Sequence, residues 1–313
     1  GIALLYGASG TTNLYQMAAQ GLHISPDGIS HAGLVLAAAG LMFIGLGFKV
    51  SAAPFQMWTP DVYEGAPALV TGFMSAGPKA AAFAVALRVF YVALQGSSAA
   101  WFWMIWTAAI LSMCLGNLGA LRQTNLKRML AYSSIAQAGY VLVAFAALGF
   151  QGASAVLFYL AAYVAMNIGA FAVISHWAHR EERYVELKDY AGLGFRFPWL
   201  GFCLSIFLFS LIGVPLTGGF FGKLFVFQAA LHAHLVGLTV IALLNSALAA
   251  YYYLRVIVYL YMRPQEQPIE CARFTAPLWL AVASCLGVTF WLGIFPTQAL
   301  DFAVKSAQQM LLH

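Results

Sequence analysis

FPWLGFCLSIFLFSLIGVPLTGGFFGKLFVFQAAL, residues 197–231, is the stretch that decides the fold. It is apolar almost throughout, which suits a membrane, but it is too long to cross one as a straight helix. Such a helix would reach about 50 Å, against a hydrocarbon core of roughly 30 Å. Its middle holds Gly213-Val214-Pro215-Leu216-Thr217-Gly218-Gly219. There proline removes a backbone donor and glycine loosens the chain. Lys223 follows at once. Residues 29–62, ISHAGLVLAAAGLMFIGLGFKVSAAPFQMWTPDV, repeat the pattern, with Lys49 just before the breaker Ser51-Ala52-Ala53-Pro54. Two interrupted apolar helices in corresponding places mark an inverted-repeat transporter with its ion site near the breaks. Two ordinary proline kinks would account for either break alone. A lysine beside each favours the transporter.

The rest of the chain fits a lipid-embedded helical bundle. Of 313 residues, 62% are hydrophobic and only 8% charged, whereas a soluble domain carries about 25% charge. Backbone in lipid must satisfy its own hydrogen bonds, which leaves helices or closed barrels. The apolar runs are long and do not alternate, so helices are expected. Further spans are predicted at residues 66–95, 99–121, 126–150, 153–178, 235–262 and 276–295. Gly1–Ala8 reads as the tail of a span, and 297–312 as a mildly amphipathic tail at the surface. The chain starts Gly1-Ile2-Ala3-Leu4-Leu5-Tyr6 inside an apolar stretch, without Met or a signal-peptide n-region. It reads as a piece of a longer protein.

The net charge of +5 is distributed as a topology signal rather than as a nucleic-acid surface. Arg122, Lys127, Arg128, Arg180, Arg183, Lys188, Arg196, Arg263 and Arg273 fall in loops of one side. The other side's loops hold none, and the C-terminal tail holds only Lys305. The positive-inside rule puts the first set in the cytoplasm and the C-terminus outside. Trp101, Trp103, Trp177 and Trp199 near the span ends are expected as interfacial aromatics. Cys114, Cys203, Cys271 and Cys285 have no metal-ligand spacing and read as small packing residues. No nucleotide loop, haem signature or iron–sulfur cysteine set is present, so no redox centre is expected in this chain.

Lys49, Lys79, Arg88, Lys223 and Arg255 lie inside apolar segments, where a charge costs about 2.5–3.5 kcal/mol at a helix centre. Arginine keeps its proton, so Arg88 and Arg255 are read as fixed charge or as snorkelling side chains. Lysine differs. Burial disfavours an ammonium group and a nearby carboxylate favours it, so a buried lysine with a switchable partner can load and release a proton. Lys79, after Gly77-Pro78 and deep in its span, is the clearest case. Each lysine alone could simply be satisfied by carbonyls or water; three together favour a relay. Asp61 and Glu64, in the loop after the first break, either hold a turn or gate proton entry. Glu181, Glu182, Glu186 and Asp189 read as a solvated connection or a contact with another subunit. His23, His31, His176, His179, His232 and His234 lack metal spacing. Asn117, Asn167, Tyr163 and Asn245 would organise water or bridge helices.

Three motifs carry a resemblance. They are Gly47-Phe48-Lys49-Val50-Ser51-Ala52-Ala53-Pro54-Phe55-Gln56-Met57-Trp58-Thr59-Pro60-Asp61-Val62-Tyr63-Glu64-Gly65-Ala66-Pro67, Gly116–Leu121 with Asn125–Ile135, and Gly213–Lys223. Together they closely resemble the subunit N family of the proton-pumping NADH:quinone oxidoreductase, respiratory complex I, across essentially the whole chain. The resemblance implies an all-α polytopic membrane protein, an antiporter-like inverted-repeat bundle with two discontinuous helices. The chain would form one transmembrane domain, 1–313, from the end of the sixth family helix to the fourteenth, with the second repeat at about 99–262 and a tail at 297–313. Lys49, Lys79 and Lys223 match the family's relay lysines on the seventh, eighth and twelfth helices. The glutamate that pairs with Lys49 in the family would lie upstream of residue 1. The implied partners are the other complex I subunits, especially neighbouring antiporter-like ones, and the lipid bilayer of the bacterial inner membrane. NADH, FMN, iron–sulfur clusters and quinone would sit in those partners. A Mrp-type cation/proton antiporter subunit and a purely structural spacer remain as alternatives, although the Trp58–Pro67 loop argues against the first.

Overall fold

The computed structural model describes residues 1–19, 29–178, 184–264 and 275–312. Side chains of 29–32 and 312 lie outside the description, as do the whole residues His23, His179, Arg180, Glu181, Glu182, Arg183, Cys271 and Arg273. Helix α1 (Ile2–Ser9) and the short α2 (Leu14–Ala19) precede the first broken pair, α3 (Ile29–Val50) and α4 (Trp58–Gly65). Helix α5 (Ala68–Arg88) runs on into a π turn at Val89–Ala93; α6 (Ser98–Leu121), α7 (Leu126–Ala146) and α8 (Gly149–Ala178) follow. One helical turn, α9 (Leu193–Arg196), leads into the second broken pair, α10 (Pro198–Ile212) and α11 (Gly218–His232). The long α12 (Val236–Met262), α13 (Ala276–Ile294) and α14 (Pro296–Leu312) close the chain. Among the described residues, 7 helices are long and apolar enough to cross a membrane. The chain is a multi-pass helical membrane protein.

Both breaks fall where proline and glycine predict them, and both lie at mid-depth. The Ala53 amide donates to Ser112 Oγ at 2.8 Å, nine residues and so about 13 Å from the end of α6. At the second break two glycines are required. Gly213 has φ +96°, and a Cβ at Gly219 would lie 1.8 Å from the Ser210 carbonyl oxygen. The Gly219 amide, lacking a helical partner, takes Ser210 Oγ at 3.2 Å.

Helix α7 is the axis of the bundle, with almost every side chain buried. Small residues let α6 approach it closely, as membrane helix pairs commonly do. A Cβ on Gly116 would lie 2.6 Å from the Ala136 nitrogen, and one on Gly139 would lie 2.7 Å from Met113 Cγ. Asn125 caps α7 by accepting from the Arg128 amide at 3.1 Å. On the periphery, α12 and α13 expose Leu243, Leu244, Tyr251 and Leu280, the apolar surface that lipid solvates. Helix α14 packs along α8, with Ala303 and Ala307 buried.

Two expectations need correction. Trp103 and Trp199 are exposed, as interfacial aromatics should be, but Trp101 and Trp177 are buried. Trp101 donates to the Leu94 carbonyl at 3.0 Å and packs on Phe90, and Trp177 packs on Tyr190. Proximity to a span end did not reveal which helix face they occupy. Lys127 is not a loop residue either. It sits buried in the first turn of α7, its ammonium on the Ala66 carbonyl at 2.7 Å.

Candidate functional site: a polar line along α7

Lys79 is carried into the core by α5, directly after Pro78, and is 2% exposed. Its Nζ donates to the Ser134 carbonyl at 2.9 Å and to Ser134 Oγ at 2.5 Å. Ser134 Oγ in turn bonds the Tyr163 hydroxyl of α8 at 2.7 Å. One turn before Lys79, Ser75 accepts from Asn167, so polar contact continues along the α5–α8 seam.

Lys223 is held by the second break. The last carbonyls of a helix have no partner within it, and they carry the negative end of the helix dipole. Ending α10 at Ile212 therefore leaves a cation site in the membrane. Lys223 Nζ fills it, donating to the carbonyls of Leu211 at 3.0 Å and Ile212 at 2.8 Å, and to Ser246 Oγ at 2.9 Å. It also stands 5.0 Å from the centre of the Tyr140 ring, within cation–π range.

Helix α7 joins the two lysines. Gln137 donates to the same Leu211 carbonyl that Lys223 uses, at 3.3 Å, and to the Tyr253 hydroxyl at 3.1 Å. Tyr159 donates to the Gln137 amide oxygen, and Tyr253 shares a hydrogen bond with Ser133 Oγ. The order is thus Lys79, Ser134, then Ser133, Tyr253, Gln137, the Leu211 carbonyl and Lys223. No direct hydrogen bond is recorded between the Ser134 and Ser133 groups among the described residues, but the two serines are consecutive. Hydroxyls both donate and accept, so the Ser134–Tyr163 and Ser133–Tyr253 pairs can pass protons. The Leu211 carbonyl only accepts, from Gln137 and from Lys223, so it holds the two side chains together, and a proton crosses there and between the two serines only by way of water.

Lys49 is not brought into this line. It lies on the exposed face of α3 beside the exposed Phe48. The Phe48 carbonyl, in the last turn of α3, is taken by the Trp58 indole at 3.1 Å and the Ser51 amide at 3.2 Å. Arg255 and Arg128 have structural partners. Arg255 caps the end of α6, donating to the carbonyls of Leu121 at 3.1 Å and Gln123 at 2.5 Å. Arg88 is exposed at the end of α5. Arg128 bridges Asp61 at 2.7 Å and Glu64 at 2.5 Å. Asn117 bonds Asn245 at 3.0 Å and accepts from Tyr252 at 3.1 Å, pinning α6 to α12. His232 and His234 are exposed around the α11–α12 turn. Free Cys114, Cys203 and Cys285 are part-buried or buried packing residues.

Ser133, Ser134, Gln137, Tyr159, Tyr253 and Ser246 were not singled out from sequence. The available signal was the run Ser133, Ser134, Gln137, Tyr140 on one apolar span, at i, i+1, i+4 and i+7. Neutral polar side chains are common in such helices, and only packing shows which face a lysine.

Known proteins match this chain in sequence and fold. The family model described as NADH:quinone oxidoreductase/Mrp antiporter, TM, matches residues 1–249. The chain is 56% identical to NADH-quinone oxidoreductase subunit N 2 of Koribacter versatilis, covering 99% of this chain and 62% of that protein. Respiratory complex I from Thermus thermophilus, with aureothin bound, has a chain 36% identical with a TM-score of 0.78, covering 96% of this chain and 64% of that one. A chain of the Mrp complex from Dietzia sp. is 22% identical with a TM-score of 0.85, covering 99% and 64%; at that identity it speaks for the fold alone. The chain thus spans about three fifths of the length of the curated relatives it matches. Two broken helices at mid-depth, a lysine seated on one of them and the family match over residues 1–249 lead to one conclusion: the chain belongs to the NADH:quinone oxidoreductase/Mrp antiporter transmembrane family.

Proposed function

We propose that this chain is part of a membrane-arm subunit of an NADH:quinone oxidoreductase, and that it carries protons between Lys79 and Lys223 along α7. The supporting observation is the buried polar line itself. Each lysine sits on groups that accept its N–H bonds, and Gln137 shares the Leu211 carbonyl with Lys223. When a proton leaves Lys79, an N–H bond breaks and an O–H bond forms at Ser134, which gives its own proton to the Tyr163 hydroxyl or to water beside it. Water then carries a proton past the Leu211 carbonyl to an unprotonated Lys223, where an O–H bond breaks and an N–H bond forms. The energy would come from electron transfer in partner subunits, which hold NADH, FMN, iron–sulfur clusters and quinone on this reading. Relatives named for the oxidoreductase support it.

On the same reading the protein resides in the bacterial inner membrane among other antiporter-like subunits, with its basic loops cytoplasmic and its C-terminus periplasmic. Residues 99–262 are then the second inverted repeat and 297–313 a surface tail. Lys49 would join the relay from a face covered by the rest of a longer protein.

The test is the proton-to-electron ratio of the reconstituted full complex, its full-length subunit carrying Lys79→Ala or Lys223→Ala. A lowered ratio with normal assembly is expected. An unaltered ratio with normal assembly contradicts the relay. The spacer reading predicts changes in assembly only. A stand-alone antiporter would purify without quinone-reducing partners.

A further inference from the structure

The stretch between Lys49 and α5 holds a concentration of buried polar atoms without protein partners. Seven such side-chain atoms occur among the described residues, and four belong to this stretch: Ser51 Oγ, Gln56 Oε1, Thr59 Oγ1 and the Tyr63 hydroxyl. Ser51, Thr59 and Tyr63 are each 0% exposed. A hydroxyl so placed is costly unless something bonds it, and in proteins that partner is commonly water. Thr59 and Tyr63 stand four residues apart on α4 and so share one face.

That face meets the relay. Helix α4 packs on α7, and the Tyr63 hydroxyl faces the Ser134 side chain closely enough to interact with it, though outside good hydrogen-bond geometry. Ser134 is the residue that receives both bonds from Lys79. The other end of the seam opens to solvent. Asp61 and Glu64, both exposed, flank Tyr63 and share Arg128 at the start of α7. Asn125 adds a contact to Glu64 at 3.5 Å. A charged rim, buried partnerless hydroxyls and the acceptor of Lys79 therefore follow one another along a single helix–helix seam.

We propose that the α4–α7 seam is the proton entry to the relay, in which water held by Thr59 and Tyr63 delivers protons to Ser134 and Lys79. The inference rests on the relay reading above. In the transfer, water gives a proton to Ser134 Oγ while Ser134 gives its own to an unprotonated Lys79. One O–H bond breaks at water, one N–H bond forms at lysine, and the water is reprotonated from the rim. The route reaches Lys79 without passing through Lys49.

The test uses the full complex in proteoliposomes, its full-length subunit carrying Tyr63→Phe. That change removes the hydroxyl and keeps the ring that packs on Trp58 and Phe171. Lys79→Ala is the reference for loss at this subunit. We expect Tyr63→Phe to produce at least half of the reference loss in the proton-to-electron ratio. A parental ratio in Tyr63→Phe, beside a loss in Lys79→Ala, overturns the entry and leaves the relay standing; parental ratios in both overturn both. Should Tyr63→Phe fail to assemble, the unaltered complex decides. Cryo-electron microscopy that resolves ordered waters elsewhere in the bundle should show one within about 3 Å of both Tyr63 Oη and Ser134 Oγ. Its absence there overturns the proposal.

Discussion

Ser134 gives Lys79 two acceptors from one residue, its carbonyl and its hydroxyl. Ser134→Ala removes the second and cuts the link to Tyr163. The carbonyl still holds the lysine in place, so the complex should assemble while the proton-to-electron ratio falls; proteoliposomes report both. Lys223 is more heavily held, by two carbonyls and a hydroxyl. Ser246→Ala leaves both carbonyls and should cost less than Ser134→Ala in the same assay. Equal losses would argue that hydroxyl chemistry is not what limits the line. Lys79 and Lys223 were legible in the sequence because a charge in an apolar run must be satisfied. Ser133, Ser134 and Gln137 were not, because a neutral polar side chain declares its role only through its neighbours. The burial of Trp101 and Trp177 was hidden for the same reason.

At the scale of helices, the breaks make the site. Ending α10 in mid-membrane exposes the carbonyls that Lys223 needs. The sequence showed both breaks because their glycines and prolines are local signals. It did not show which groups the second break offers its lysine, because the Leu211 and Ile212 carbonyls and Ser246 meet Lys223 only once α10, α11 and α12 pack. Gly219→Ala puts a methyl group where the Ser210 carbonyl oxygen stands, 1.8 Å away. Neither backbone can yield cheaply, so assembled complex should fall severely, as measured by native gel. Gly213→Ala at φ +96° sets a methyl group 3.2 Å from Lys223 Cδ, which that flexible side chain can yield to; the left-handed conformation costs roughly 1–2 kcal/mol, so thermal stability should fall with much of the complex retained.

For the whole molecule, charge asymmetry predicts orientation. Arg122, Lys127, Arg128, Lys188, Arg196 and Arg263 belong to one set of helix ends, and Arg88 and Lys305 to the other. Contacts across the first set support the grouping: the Leu187 amide donates to the Thr124 carbonyl, and Arg255 reaches Gln123. With native cysteines replaced, Lys188→Cys should label with an impermeant thiol reagent only from the cytoplasmic side and Lys305→Cys only from the periplasmic side. The opposite pattern would invert the topology but keep the line along α7.

Gln137 is the narrowest point of that line, touching Tyr159, Tyr253 and the carbonyl shared with Lys223. Gln137→Leu keeps much of the side-chain volume and removes all three contacts. In reconstituted complex of normal assembly, the number of protons moved per electron should fall clearly. A ratio equal to that of the parental complex would contradict the relay.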